Sequence, residues 1–434
     1  MSWSSRLERP LVVERFVKRS ATLLSGAAVG QVAVFVSTPF LARMYSPADF
    51  GVFAVFLACS GVALVVAAFR FEQAILVPET DKEASGIVKA AVICVVATTM
   101  GVTLAAIAGA DQLAQLTSTP AIKRVLWLLP ISVAFGGGHQ IMVSWATRVG
   151  AFRELSWSKA ALGISLAVSQ LAIGFGTDWR GGLVVGVVVS WAVAILVLLP
   201  SMKGIHHVSD ADAWRAAVRF RRFAQLGVWS SLLNRAALEI PSIALAFLFG
   251  PAAAGSFLLA FRIVVAPARL ITESAQHVFI NHMAVLKREA PDEMYAFFNR
   301  TLSLLACLAV PAAVLLALLG PWVLGAVLGD DWTASSQQVR LLAPFLFAMM
   351  LTQPVAGTLW LVERLELQLL RECARVAFVI TAFFIAWATD VGSDAAVAMY
   401  VASMLTGYGL LLSLCRWVLS RYSQQIAPLA PVVP

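Results

Sequence analysis

Apolar runs of roughly 20 residues recur along this sequence, and that is the length at which an α-helix crosses ~30 Å of hydrocarbon. Twelve such runs are legible, at 20–44, 50–69, 84–109, 122–147, 157–176, 182–200, 223–249, 252–276, 298–319, 339–361, 367–388 and 395–417. Strands of a membrane barrel would be only about 10 residues long and would alternate in polarity. A soluble fold is excluded as well, because only 13% of the residues are charged and 60% are hydrophobic, against about 25% charged in soluble domains. The expectation is an all-α integral membrane protein of about twelve transmembrane helices. Residues 1–19 form a basic leading segment, and Arg15, Lys18 and Arg19 imitate the start of a signal peptide. The apolar run that follows is too long for a cleaved h-region of about 7–15 residues.

The positions of the cations set the orientation. With twelve spans, 24 of the 32 Lys and Arg fall on the side of the N-terminus, five fall opposite, and Arg235, Arg262 and Arg269 lie within spans. Lys and Arg concentrate in cytoplasmic loops, so both termini are expected in the cytoplasm. The net charge of +8 is therefore topological, and no nucleic-acid partner is indicated. Five scattered cysteines without a CxxC pair, and histidines that gather no third ligand, point to no disulfide, metal or cofactor. His139, alone after Gly136-Gly137-Gly138, reads as a helix-packing donor. No GxSxG, HExxH or P-loop pattern is present.

The chain also repeats. ARMYSPADFGVF at 42–53 aligns with AFLFGPAAAGSF at 246–257, placing Tyr45, Pro47, Ala48, Gly51 and Phe53 opposite Phe249, Pro251, Ala252, Gly255 and Phe257 at an offset of 204. Six spans separate the copies, so the halves run in the same direction, as in transporters whose substrate site lies between parallel repeats. The corresponding division is an N-lobe at 20–200, a cytoplasmic linker at 201–222, a C-lobe at 223–419 and a tail at 420–434.

Ionisable residues inside spans are costly and mark function. Arg235 and Glu239 share one helical face, with Asn234 beside them lining a cavity. They read either as a self-neutralising pair or as an anion site, Arg235, with an ion-coupling carboxylate, Glu239. Arg262 has no acid within four residues, so its partner comes from another helix, water or substrate. A guanidinium holds a pyrophosphate bidentately. Pro267, next in the same span, is a candidate hinge or a fixed bend. Arg70 ends the second span, where snorkelling to the interface competes with a binding role.

Two segments carry a family likeness. LARMYSPADFGVFAVF with AFRFEQAILVPETDKEA, at 41–84, resembles the polysaccharide-transport family of Wzx-type O-antigen and exopolysaccharide flippases, through Tyr45, Pro47, Asp49, Phe50 and Gly51, then Arg70, Phe71, Glu72, Ala74 and Ile75. AGSFLLAFRIVVAPARLI is similar to that family's seventh-to-eighth-span region and carries Arg262 and Pro267. The resemblance implies two six-helix lobes around a cationic central cavity, the fold of the multidrug/oligosaccharidyl-lipid/polysaccharide superfamily. It implies an undecaprenyl-pyrophosphate-linked oligosaccharide moved from the cytoplasmic to the periplasmic leaflet of a bacterial inner membrane. A proton or sodium ion, membrane lipids and, as candidates, polysaccharide-assembly proteins are the implied partners.

Two rival readings remain at the level of sequence. A drug or cation antiporter of the same superfamily would rely on buried carboxylates, whereas the spans here carry Arg235 and Arg262 against Glu239. A membrane-bound glycan polymerase or ligase would display a long extracytoplasmic loop with catalytic residues. The longest here, 320–338, is short and has only Asp330 and Asp331 as acids.

Overall fold

The computed structural model describes residues 25–176, 179–221, 223–362 and 364–426. The leading segment 1–19, the first residues of the first span and positions 427–434 of the tail lie outside them. The described residues contain helices and no strand. The helices are α1 (Ser25–Met44), α2 (Pro47–Ala67), α3 (Asp81–Leu116), α4 (Leu128–Arg148), α5 (Phe152–Gly176), α6 (Gly182–Leu198) and α7 (Asp210–Arg219), followed by α8 (Val228–Phe249), α9 (Pro251–Glu289), α10 (Met294–Leu328), α11 (Thr333–Leu341), α12 (Ala343–Thr352), α13 (Leu365–Ala388) and α14 (Ser393–Ile426). Among the described residues every apolar run is helical over most of its length, and nine helices are long and apolar enough to cross a membrane. The chain is a multi-pass membrane protein.

The tenth run departs from a single span. It is divided into α11, α12 and a last turn, Thr358–Leu361, with Pro344 and Pro354 at the breaks. Proline removes a backbone donor and clashes with the preceding turn. The linker also holds a helix, α7, that the reading of 201–222 as a loop did not anticipate. Ser209 caps it by accepting from Asp212 N at 3.2 Å, an N-terminal signature written in the sequence.

Capping chemistry starts the spans. Asp49 Oδ2 accepts from Ser46 N at 2.9 Å, while Ser46 Oγ accepts from Asp49 N at 3.3 Å. This reciprocal box leaves Pro47 at the first helical position, where its missing N–H costs nothing. Gly250, at φ 83°, and Pro251 open α9 instead.

Contacts divide the chain into two compact units. The first comprises residues up to Tyr45 together with Val55–Arg235, and the second comprises Ser46–Ala54 and Ala236 onward. In the first unit Gly136 and Gly137 of α4 let Leu64, Ala67 and Val95 approach the helix backbone. Small residues serve this purpose in lipid, where tight packing replaces a hydrophobic drive. His139 is buried, its Nε2 lies 3.0 Å from Ser158 Oγ, and that hydroxyl donates to Ala194 O at 3.0 Å. The lone histidine therefore ties α4 to α5 and α6, in keeping with a packing role.

At 36 residues, α3 is about 54 Å long, well beyond the hydrocarbon thickness. Its first turns pack on α7, where Gly86 faces Ala213 and Ala216 and Lys89 Nζ lies 2.6 Å from Asp210. In the second unit the first turn of α2 meets that of α9. A Cβ on Gly51 would collide with Pro251 O, and one on Gly255 with Pro47 O. These are the residues paired by the 204-residue offset, so the two copies of the repeat touch each other reciprocally.

Candidate functional site

Arg262 lies on α9, eleven residues past its start, and is half-buried. Among the described residues it makes no hydrogen bond and no ion pair. An isolated guanidinium within a membrane-crossing helix is expensive. Pro267 is five residues further on, exposed, within the same unbroken helix.

Arg235, Asn234 and Glu239 lie on α8, Asn234 exposed and the other two half-buried. The division between the units falls at Arg235, so Arg235 and Asn234 belong with the first and Glu239 with the second. Arg235 lays its guanidinium against Gly61 of α2, where an added Cβ would stand 2.6 Å from Nε. A side chain at 61 would require that guanidinium to shift. In the second unit Glu239 is within electrostatic reach of the Tyr400 hydroxyl, as is Arg375.

Arg70 sits just after α2. Phe69 and Arg70 both take left-handed backbone angles, φ 48° and 61°, which non-glycine residues adopt rarely. This reverses the chain into a single helical turn, Phe71–Ala74, and brings Arg70 Nη1 to 3.3 Å from Glu72 Oε1. Glu72 is buried, and burial raises its carboxyl above the ordinary 4.5 despite Arg70. Snorkelling alone does not describe Arg70, whose Nε is buried as well.

One charged cluster escaped the sequence reading. Arg371, Glu372 and Arg375 of α13 are all buried, with Arg375 Nη2 2.6 Å from Glu372 Oε2 and Arg371 paired to the same carboxylate. The orientation count assigns both arginines to the side of the N-terminus. The signal was the spacing: Arg375 is four residues after Arg371 and three after Glu372, so it neighbours both on the helix surface. Tyr400 and Tyr408 of α14 face them. Among the described residues no group of three His, Cys, Asp or Glu is arranged to hold a metal ion.

No curated protein sequence matches this chain. Solved structures do, at identities that speak for the fold alone. The lipid II flippase MurJ in an inward closed conformation aligns with a TM-score of 0.68 and 13% identity, over 94% of this chain and 91% of that one. An inward-facing multidrug resistance MATE family transporter of the MOP superfamily gives 0.62 and 14%, over 93% and 96%. A MOP superfamily transporter from Pyrococcus furiosus gives 0.53 and 12%, over 94% and 95%. The expected superfamily fold is thereby established. The sequence family described as "Polysaccharide biosynthesis protein" matches residues 40–337, well over half the chain, and this protein is accordingly a member of that family built on the MOP transporter fold.

Proposed function

We propose that this protein is a flippase that carries a lipid-linked oligosaccharide, joined through pyrophosphate to a polyprenyl chain, from the cytoplasmic to the periplasmic leaflet of a bacterial inner membrane. The observation that carries the reading is Arg262, a half-buried guanidinium within a span, with no protein partner among the described residues. A fixed cation there suits a ligand with a permanent negative charge, and bidentate geometry favours phosphate. Family membership in polysaccharide biosynthesis and the likeness to a lipid II flippase support the same substrate class.

In this reading Arg262, Arg235 and Arg70 bind the pyrophosphate, Asn234 lines the path and Glu239 carries the coupling proton or sodium ion. Pro267 is the hinge, the termini are cytoplasmic, and the lobes at 20–200 and 223–419 open alternately to each side. The glycan and pyrophosphate cross through a wet cleft while the polyprenyl tail stays in lipid. The test is the leaflet location of lipid-linked glycan in cells lacking the protein, rescued with wild type or Arg262→Ala. Accumulation on the cytoplasmic leaflet, corrected by wild type and not by a normally inserted Arg262→Ala, is the expected result. Glycan still reaching the periplasmic face, with other flippases removed, would overturn the reading.

A further inference from the structure

Arg70 and Glu72 are built as one device. The left-handed pair Phe69 and Arg70 turns the two side chains toward each other, yet they share a single hydrogen bond of 3.3 Å. Glu72 is 6% exposed, its Oε2 is buried without a partner, and Arg70 Nε is likewise buried and unbonded. A carboxylate as buried as this would ordinarily fill both oxygens. The aliphatic part of Arg70 lies 3.5 Å from where Gly227 would carry a Cβ.

Among the described residues, the surroundings offer Glu72 no second cation. Its turn packs on α3, α4 and residues 223–227. On α3, Lys89 is taken by Asp210 and Val208 O, Glu83 by Arg219, and Lys82 lines a groove with Asp212. On α4, Arg148 donates to Asp81, Ile75 O and Pro78 O, and His139 is bonded to Ser158. Cys94 of α3 bears no charge as a thiol, and 223–227 contain no titratable residue. Among the described residues, Arg70 is the one group whose charge acts on this carboxylate.

We propose that Arg70 and Glu72 form a proton-gated site for a phosphate diester: the carboxylate masks the guanidinium, and a proton taken up by Glu72 releases Arg70 to the ligand. The proposal rests on the flippase reading for its ligand class and adds the group that controls access to Arg70. If an anion draws the guanidinium away, Glu72 is left buried beside a negative charge, where only its neutral form is tolerable. Binding the anion therefore takes up a proton. Reciprocity then requires that the proton strengthen anion binding. Glu72 touches the ligand only through Arg70 and is a positioning residue.

The test uses the full-length protein in lipid nanodiscs and a soluble P1,P2-dimethyl pyrophosphate diester, whose charges do not titrate over the range used. Affinity is measured by titration calorimetry from about pH 5.5 to about 8.5, in two buffers of different ionisation enthalpy so that protons are counted. Wild type should bind more tightly as pH falls, approaching about tenfold per pH unit for a one-proton linkage. Glu72→Gln should bind tightly at every pH with no proton uptake. Arg70→Gln should bind weakly and without pH dependence, whereas Arg70→Lys should keep the linkage, and melting temperatures verify that each variant is folded.

A pH-independent wild type, or a Glu72→Gln variant that keeps the wild-type slope, would overturn the proposal. So would wild-type affinity in folded Arg70→Gln. These results are separable from the leaflet assay. Proton-linked diester binding without translocation would retain the site and reject the flippase. Translocation with unlinked binding would do the reverse.

Discussion

Adding one methyl group at Gly51 or Gly255 tests the reciprocal contact directly. A Cβ on Gly51 would stand 2.8 Å from Pro251 Cα, and one on Gly255 would stand 2.9 Å from the carbonyl carbon of Pro47, with the carbonyl oxygens nearer still. Ordinary contact begins at 3.4 Å, and the obstructing atoms are backbone, so the helix ends must separate. Overpacking of this kind costs about 1–3 kcal/mol, and alanine returns ~1 kcal/mol of helix propensity over glycine. The net expectation for Gly51→Ala or Gly255→Ala is a loss of ~1 kcal/mol, weighing those two terms.

Gly101 supplies the control, because nothing lies within 4 Å of its added Cβ, and Gly101→Ala should gain up to ~1 kcal/mol. One separation of the helix ends relieves both glycines. The double variant should therefore lose less than the sum of the singles, by at least ~0.5 kcal/mol of coupling. Unfolding of the purified protein in one detergent, with all four variants in parallel, reads this out. The reasoning fails if Gly51→Ala is as stabilising as Gly101→Ala, or if the two losses add.

Further expectations concern charges and polar contacts. Glu372→Gln leaves Arg371 and Arg375 facing a neutral amide in the interior and should cost ~3–5 kcal/mol; a denaturation shift below 1 kcal/mol would contradict the buried cluster. Glu72 has a raised folded-state carboxyl, so its favourable contribution is complete below the ordinary value of 4.5 and is lost as pH rises through the folded one. Glu72→Gln should accordingly melt above wild type at pH 8, with the gap closing toward pH 4.5, and a gap that widens on acidification would reverse the sign. His139→Phe removes the Ser158 hydrogen bond and should cost ~1 kcal/mol, seen as a lower melting temperature. Arg148→Ala frees Ile75 O and Pro78 O, and amide exchange at 75–81 should accelerate, while an unchanged rate would show that the clamp is dispensable.

The spans were legible because lipid imposes a single requirement, apolar length, that twenty consecutive residues state openly. The apolar runs therefore marked the long helices, although α2 begins at Pro47, ahead of the run at 50–69, and α7 in the linker carried no such signal. Nor did they reveal the division of the tenth run, since hydropathy averages over Pro344 and Pro354 while the backbone does not. Arg371 and Arg375 were misjudged for a related reason. Counting cations by loop treats each as a solvated charge, and only packing against Tyr400 and Tyr408 reveals that the charges are internal. The Arg70 and Glu72 pair was visible as spacing alone. Its geometry depends on two left-handed residues with no glycine to announce them.

The contact of Gly51 with Pro251 and of Gly255 with Pro47 is isologous, the kind that a two-fold axis creates between identical copies, each residue meeting its counterpart's partner. Within one chain it joins two matching turns whose helix starts differ, one opened by a Ser–Asp box and the other by a glycine at positive φ. Each glycine leaves room for the opposing carbonyl, so a side chain gained by either would be felt by both turns.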